Sequence, residues 1–211
     1  MTNSPDNPRR AFFDDLAERW DGFDDQEALA ARLDAGLVEL GLGPSERVLD
    51  LGCGTGNLTR ALLARLGPAG RVWAVDLAPR MIARARRKIA DPRVEFRVAD
   101  LEREPLGLAG LDRIVCYSVW PHLEDPARVA RTCLGWLRPG GRLHVWHLAP
   151  RHKINEIHAG AGPAVAHDVL LPADETAALL AEAGFEVELA REDEDRYLVS
   201  ARRPPPGGRT P

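Results

Sequence analysis

Val48-Leu49-Asp50-Leu51-Gly52-Cys53-Gly54-Thr55-Gly56-Asn57-Leu58-Thr59 decides how the rest of the chain is read. A short apolar run carrying one acid is followed by glycines at three alternate positions, and then by an amphipathic segment. Val48 to Leu51 predicts a buried strand bounded by glycine. The glycines permit a sharp turn at positive φ and let a ligand approach bare backbone. Thr55 or Asn57 is expected to cap the next helix, where Leu58, Ala61, Leu62 and Leu66 recur at helical spacing. Strand, glycine turn and helix together make the ligand-binding corner of an open α/β sheet.

The ligand is the next question. A dinucleotide fold needs Gly-x-Gly-x-x-Gly or Ala, but Asn57 stands at the third of those positions and the last glycine comes one place early, at Gly56. Asp50 is awkward beside a pyrophosphate and suits a ligand that is cationic at this end. A turn that binds nothing is the alternative, although glycine triplets at a strand end usually serve a ligand. The stretch resembles motif I of the class I S-adenosylmethionine (SAM)-dependent methyltransferases, whose ligand carries a sulfonium and an amine there. The resemblance implies that Asp50, Gly52, Cys53, Gly54, Gly56 and Asn57 shape the methionine end of SAM.

Other acids fall at later strand ends. Arg71 to Val75 reads as a second strand ending at Asp76, which can accept both ribose hydroxyls of a nucleoside, with Leu77 beside it. Pro79 opens a helix whose Met81 either touches the adenine or fills core. Val94 to Val98 alternates as a third strand, leading to Asp100 and Leu101. In the resembling family an acid at that place bonds the adenine amino group. Leu111 to Cys116 reads as a fourth strand, and the backbone near Tyr117 and Ser118 can receive the ligand's amine. A helix from Pro126 to Leu137, a Pro-Gly-Gly turn and a fifth strand, Arg142 to His147, follow. A helix from about Pro172 to Ala183 and an antiparallel pair, Phe185 to Ala190 and Arg196 to Ala201, complete the pattern. Parallel βα units followed by a hairpin predict an α/β fold, a three-layer Rossmann-like sandwich with a seven-stranded, mostly parallel sheet. The family order is 3-2-1-4-5-7-6 with strand 7 antiparallel.

Composition bounds the function. The chain has 211 residues, enough for one domain, and a net charge of −4, which disfavours a nucleic-acid binder held by phosphate contacts. Arg80 to Lys88 is strongly basic, and reads as the solvated face of a helix. No apolar run is long enough to span a membrane, and the start of the chain shows no secretory leader pattern. Cys53, Cys116 and Cys133 form no Cys-x-x-Cys pair, so reduced thiols in a cytoplasmic protein are expected. Residues 1–10 and 202–211 are expected to be disordered ends around one domain, residues 11–201, with N-terminal lid helices over 11–45 and an insertion over the site at 148–172.

Two segments should form the acceptor side. Phe12, Phe13, Leu16, Ala17 and Trp20 fall on one helical face. They resemble the Phe-Phe-Asp-x-x-Ala-x-x-Trp-Asp opening of small-molecule methyltransferases, which closes over SAM and substrate in those relatives. A second helix is expected over about Asp25 to Leu40. Four of the six histidines lie between 147 and 167. His122 and His147 stand at carboxyl ends of strands and are candidate general bases. Trp120, Asn155, His158 and His167 are candidate substrate contacts. His147, His158, His167 and Asp168 could gather a divalent metal, but their spacing matches no ligand motif, and a polar substrate pocket without metal is preferred.

The sequence therefore points to a cytoplasmic SAM-dependent methyltransferase acting on a small-molecule acceptor through oxygen, carbon, sulfur or a metalloid. No nucleic acid and no membrane is expected as partner. A SAM-binding regulatory protein without catalysis is the alternative. An NAD(P)-dependent oxidoreductase is disfavoured by Asn57 and by the lack of a Tyr-x-x-x-Lys pair.

Overall fold

The computed structural model describes residues 7–206. Seven strands form one sheet: β1 (Arg47–Leu51), β2 (Arg71–Asp76), β3 (Val94–Val98), β4 (Leu111–Tyr117), β5 (Leu137–His147), β6 (Glu186–Glu192) and β7 (Tyr197–Arg202). Their order is β3-β2-β1-β4-β5-β7-β6. The first five run parallel, and β7 runs antiparallel to both β5 and β6. This is the expected order and sense.

Alternation along the strands builds two cores. Leu49, Leu51, Val75, Ile114, Cys116, Val145 and Val199 face helices α5 (Pro126–Trp136) and α7 (Ala173–Glu182). Val48, Val72, Ala74, Val115, Trp146 and Leu198 face α2 (Gln26–Glu39), α3 (Asn57–Arg65) and α4 (Pro79–Lys88). The closest fit is under α2, where a methyl added to Gly36 would lie 2.2 Å from the Trp146 ring. Two more helices, α1 (Pro8–Leu16) and α6 (Arg151–Gly160), lie toward the carboxyl ends of the parallel strands.

Several local expectations need correction. Pro8 to Arg10 belong to α1, which starts on an Asn7 cap, so the ordered chain begins before residue 11. The helix ends at Leu16, and Trp20 opens a separate 3-10 turn, Trp20–Gly22, so the aromatic residues do not share one helix. Arg202 closes β7, and the Arg203 guanidinium donates to the Leu134 and Leu137 carbonyls, so the tail is ordered past residue 201. Residues 1–6 and 207–211 lie outside the described residues.

The basic run is the exposed face that the sequence suggested, with Arg80, Arg86, Arg87 and Lys88 at the surface, but it is also paired. Arg84 and Arg87 bond Glu18, and Arg84 and Lys88 bond Asp21. The Asp14 carboxylate accepts from the Arg80 N–H at 2.7 Å, capping the start of α4. This clasp ties residues 14–21 across α4. It also takes both expected caps of α3: the Thr55 hydroxyl donates to Asp21 at 2.5 Å, and Lys88 donates to the Asn57 side-chain oxygen at 3.1 Å. The N-cap is Gly56, at φ 87°, without a side-chain bond. A methyl there would lie 2.9 Å from Ile89, so the position favours glycine by both conformation and space.

Candidate functional site

The carboxyl ends of β1, β2 and β4 open into a cleft. Its floor is the glycine turn. The N–H groups of Gly52 and Cys53 both donate to the Val75 carbonyl, at 2.8 and 3.0 Å. This tucks the turn against β2 and leaves the backbone of Gly52 and Gly54 facing the cleft. Gly52 sits at φ 74°, and a methyl there would lie 2.3 Å from Val119.

Two acids dominate the electrostatics. Asp50, expected at the methionine end, is 1% exposed and, unlike Asp76, does not line the cleft. One of its oxygens accepts from the Thr59 hydroxyl at 2.6 Å, and the other is buried without a partner. Burial, reinforced by the nearby Asp76 charge, pushes its carboxyl up to about 7. Asp76 lines the cleft and accepts from the Gly54 and Ala78 N–H groups, each at 2.8 Å. Burial raises its pKa against those bonds. Ser118 ends β4 at φ 54°, the single non-glycine residue at positive φ among the described residues, and reaches the same cleft. Such strain persists only where the surroundings impose it.

Leu77, Met81, Asp100 and Leu101 also line the cleft, as the sequence suggested. Asp100 is bonded by Arg103 at 2.8 Å. Others do not reach it. Cys53 is buried in the core beneath α2 and α3, where burial drives its thiol well above the ordinary range. Tyr117 packs on Trp146, ring centroids 5.3 Å apart, and burial pushes its hydroxyl up to about 12. Gly56 and Asn57 belong to the helix start, as described above. Trp120, expected at the substrate, is 4% exposed and belongs to the α5–α7 core.

The N-terminal segment covers the cleft. Phe13 stands edge-on to His122 at 5.0 Å and to Trp20 at 5.9 Å, and both aromatic residues line the cleft. Phe12 packs on Phe13 behind it. At the far end of α1, Arg9 forks onto Asp168, its Nε at 3.0 and 3.2 Å and its Nη2 at 2.5 Å from the carboxylate oxygens. Asp168 is 3% exposed. Burial alone would raise its carboxyl, but His122 and Arg9 hold it below the ordinary aspartate value. Arg9 falls inside the terminus expected to be disordered, because a single arginine in a polar stretch carries no periodic signal.

Asp168 is also the hub of the histidines. His122 donates from Nδ1 to its carboxylate at 2.6 Å, which leaves Nε2 free. His158 donates from Nδ1 to its backbone carbonyl at 2.7 Å, and its ring lies 4.7 Å from that of His122. His147 is 3% exposed, with Nε2 buried and unpartnered. Burial and the neighbouring His122 and His158 push its pKa down to about 3, so it is neutral at working pH. His167 is exposed and stands apart from the cluster. The Asn155 amide exchanges two bonds with Leu170, at 3.1 and 2.8 Å, fastening the insertion to α6 instead of facing a substrate. Among the described residues no three or more His, Cys, Asp or Glu are placed to hold a metal ion, so the set His147, His158, His167 and Asp168 is not assembled as a metal site. Another histidine, His144, bonds Arg113 and Ser200 within the sheet, remote from this chemistry.

Comparison with known proteins agrees with this architecture. Residues 48–141 match the family described as methyltransferase domain. The ubiquinone biosynthesis O-methyltransferase of Xanthomonas campestris pv. campestris is 38% identical over 136 residues, which is 61% of this chain and 55% of that protein. The chain thus spans about half the length of such curated relatives. A SAM-dependent methyltransferase from Aquifex aeolicus superposes with a TM-score of 0.71 at 23% identity, over 88% of this chain and 97% of that one. A chain from the complex of a Haloferax volcanii methyltransferase with its Trm112 activator superposes with a TM-score of 0.77 at 20% identity, over 92% and 97%. At those identities the likeness is one of fold. No helix among the described residues is long and apolar enough to cross a membrane.

Proposed function

We propose that this chain, whose residues 48–141 match the methyltransferase-domain family, is a class I, SAM-dependent methyltransferase that transfers a methyl group from SAM to a small-molecule acceptor. The observation that carries this reading is the glycine turn opening into the cleft, with Asp76 lining it and the Asp50 carboxyl buried behind it, one oxygen unpartnered and no counter-charge. Both acids favour a ligand that brings a cation to that end over one that brings a pyrophosphate. The rest of the cleft suits the same ligand. Asp76 offers carboxylate oxygens where ribose hydroxyls are expected, Met81 gives an apolar wall, and Asp100 stands at the end of β3. Bound SAM supplies an electrophilic methyl on a sulfonium, so the protein's task is alignment in a dry pocket.

The chain's own residues supply that alignment and a base. Asp168 fixes the His122 ring with Nδ1 protonated, so Nε2 presents a lone pair. The arrangement follows the logic of a carboxylate-oriented histidine base. His147 is a weaker candidate, because a ring held at about 3 takes up a proton poorly. Phe13, Trp20 and Arg9 close the N-terminal segment over the cleft and exclude water. The acidic chain supports a small acceptor over nucleic acid, and three free, buried cysteines suit a reducing cytoplasm.

Calorimetry tests the assignment. SAM and its demethylated product, S-adenosylhomocysteine, should both bind, and NAD should not. Binding of NAD without SAM would sink this reading. Binding without methyl transfer to any of a panel of phenols, thiols, amines and carbon acids would leave a SAM-binding regulator instead.

A further inference from the structure

The Asp168 carboxylate holds two partners that come from different parts of the molecule. Asp168 itself is fixed on the body: its N–H donates to the Val165 carbonyl at 2.9 Å, and the neighbouring Leu170 exchanges two bonds with Asn155 of α6. His122 also belongs to the body, in a 3-10 turn after β4 whose Trp120 and Pro121 are buried. Arg9 belongs to α1, none of whose residues is buried. One carboxylate oxygen serves both: Oδ2 accepts from Nδ1 of His122 at 2.6 Å and from Nε of Arg9 at 3.0 Å. The Asp168 side chain is 2% exposed, so its charge needs a partner within the protein. Among the described residues only Arg9 and a protonated His122 are within ion-pair reach of it. Arg9 and His122 both line the cleft, and Phe13, also on α1, stands edge-on to the His122 ring.

We propose that Arg9 is a positioning residue that arms the base: closing α1 gives Asp168 a guanidinium in place of the His122 proton, and so leaves His122 neutral at the cleft. This rests on the function proposed above and deepens it. With α1 lifted, the buried carboxylate is satisfied by an imidazolium, whose Nε2 carries a proton and cannot act as a base. When Arg9 arrives, two cations compete for one carboxylate. The Nε2–H bond breaks, its electron pair stays on nitrogen, and the proton goes to water. Nδ1 keeps its hydrogen on Asp168 throughout. The linkage is reciprocal. A proton that His122 takes up during methyl transfer weakens Arg9 at Asp168 by the same factor, so turnover itself loosens α1 and opens a way out for product. The other charged and titratable groups around His122 do not replace Arg9. Asp76 on the cleft wall is tied to the Gly54 and Ala78 N–H groups. Burial pushes His147 and His158 toward the neutral form. Glu102 and Glu124 add negative charge on the Arg9 side, which helps to hold the guanidinium.

Side-chain nitrogen NMR of the full chain saturated with S-adenosylhomocysteine tests this without any acceptor. The His122 imidazole should titrate about one unit higher in Arg9→Met than in wild type, because the charge that competes with its proton is gone. Arg9→Lys, which restores the charge without the fork, should bring the midpoint most of the way back. Equal midpoints in wild type and Arg9→Met overturn the proposal. So does a midpoint in Arg9→Lys as high as in Arg9→Met, which would make the arginine a structural contact only. Should Arg9→Met misfold, wild type decides. The nuclear Overhauser contact between the Phe13 and His122 rings should fade as His122 takes up its proton, and a contact that persists through that midpoint overturns the proposal. Failure of wild type to bind S-adenosylhomocysteine condemns the methyltransferase assignment and this proposal with it, whereas unmoved midpoints overturn the proposal and leave the assignment standing.

Discussion

Replacing Asp50 by Asn should make the ligand-free protein more stable and a poorer binder of SAM. Burial pushes the Asp50 carboxyl from 3.8 to about 7. Each unit of such a shift corresponds to ~1.4 kcal/mol, so keeping this group in the folded protein above neutral pH costs ~4 kcal/mol. The sign follows from proton binding. Between the two values the folded state holds a proton that the unfolded state has lost, so stability falls as pH rises through this window and levels off above it. The amide introduced by Asp50→Asn has nothing to titrate and can still accept from the Thr59 hydroxyl, as the carboxylate does at 2.6 Å. Wild type and Asp50→Asn should therefore match near pH ~4 and diverge to a gap of ~10 °C in Tm at pH ~8, since a domain of this size gains roughly 2–4 °C per kcal/mol. The assay is thermal unfolding across that range, paired with SAM calorimetry, where the variant should bind about ten- to a hundredfold more weakly. Parallel stability curves would refute the buried-charge argument. Unchanged SAM affinity would refute the role given to the acid. Stability sacrificed at a binding group is the expected trade.

Two further outcomes concern the N-terminal segment. Arg9→Gln removes the fork onto Asp168 and should speed hydrogen exchange in α1 by about tenfold, while Arg9→Lys, which keeps charge without the fork, should recover only part of the protection; equal exchange in all three proteins would mean that the pair does not hold the helix. The same docking should loosen in acid, because a carboxyl held below 3.8 contributes stability above that value and loses it as pH falls through its lower folded value. Asp21→Asn removes the centre of the clasp on α4, where burial alone would raise the carboxyl but Thr55 and Lys88 hold it low. The half-exposed pairs there are worth ~0.5–1 kcal/mol each, so proteolysis of residues 17–25 should rise with salt in wild type and be fast and salt-independent in the variant; identical salt profiles would refute the clasp.

Much of this was legible in the chain itself. The apolar runs, the glycine turn and the strand-end acids Asp76 and Asp100 place one side of the cleft, because each lies within a few residues of a strand end that periodicity reveals. The acceptor side was legible only as a list of residue types. His122 lies 46 residues from Asp168, and the clustering of histidines between 147 and 167 left open a metal set that included His167. In the folded chain Asp168 spends its carboxylate on Arg9 and His122 and its carbonyl on His158, and His167 is left at the surface. The ion pairs of the basic run of α4 were hidden for a similar reason, since its acidic partners, Glu18 and Asp21, lie more than sixty residues away.

By itself the sequence determined the fold class, the strand order through its family resemblance, and the place of the glycine turn, because local periodicity suffices for those. Only the tertiary structure decided which histidine is free to act, which is unpartnered and which helix closes the cleft. Those depend on which distant groups claim each hydrogen-bond donor and charge, and a pairing between α1 and the insertion leaves no trace in the spacing of either.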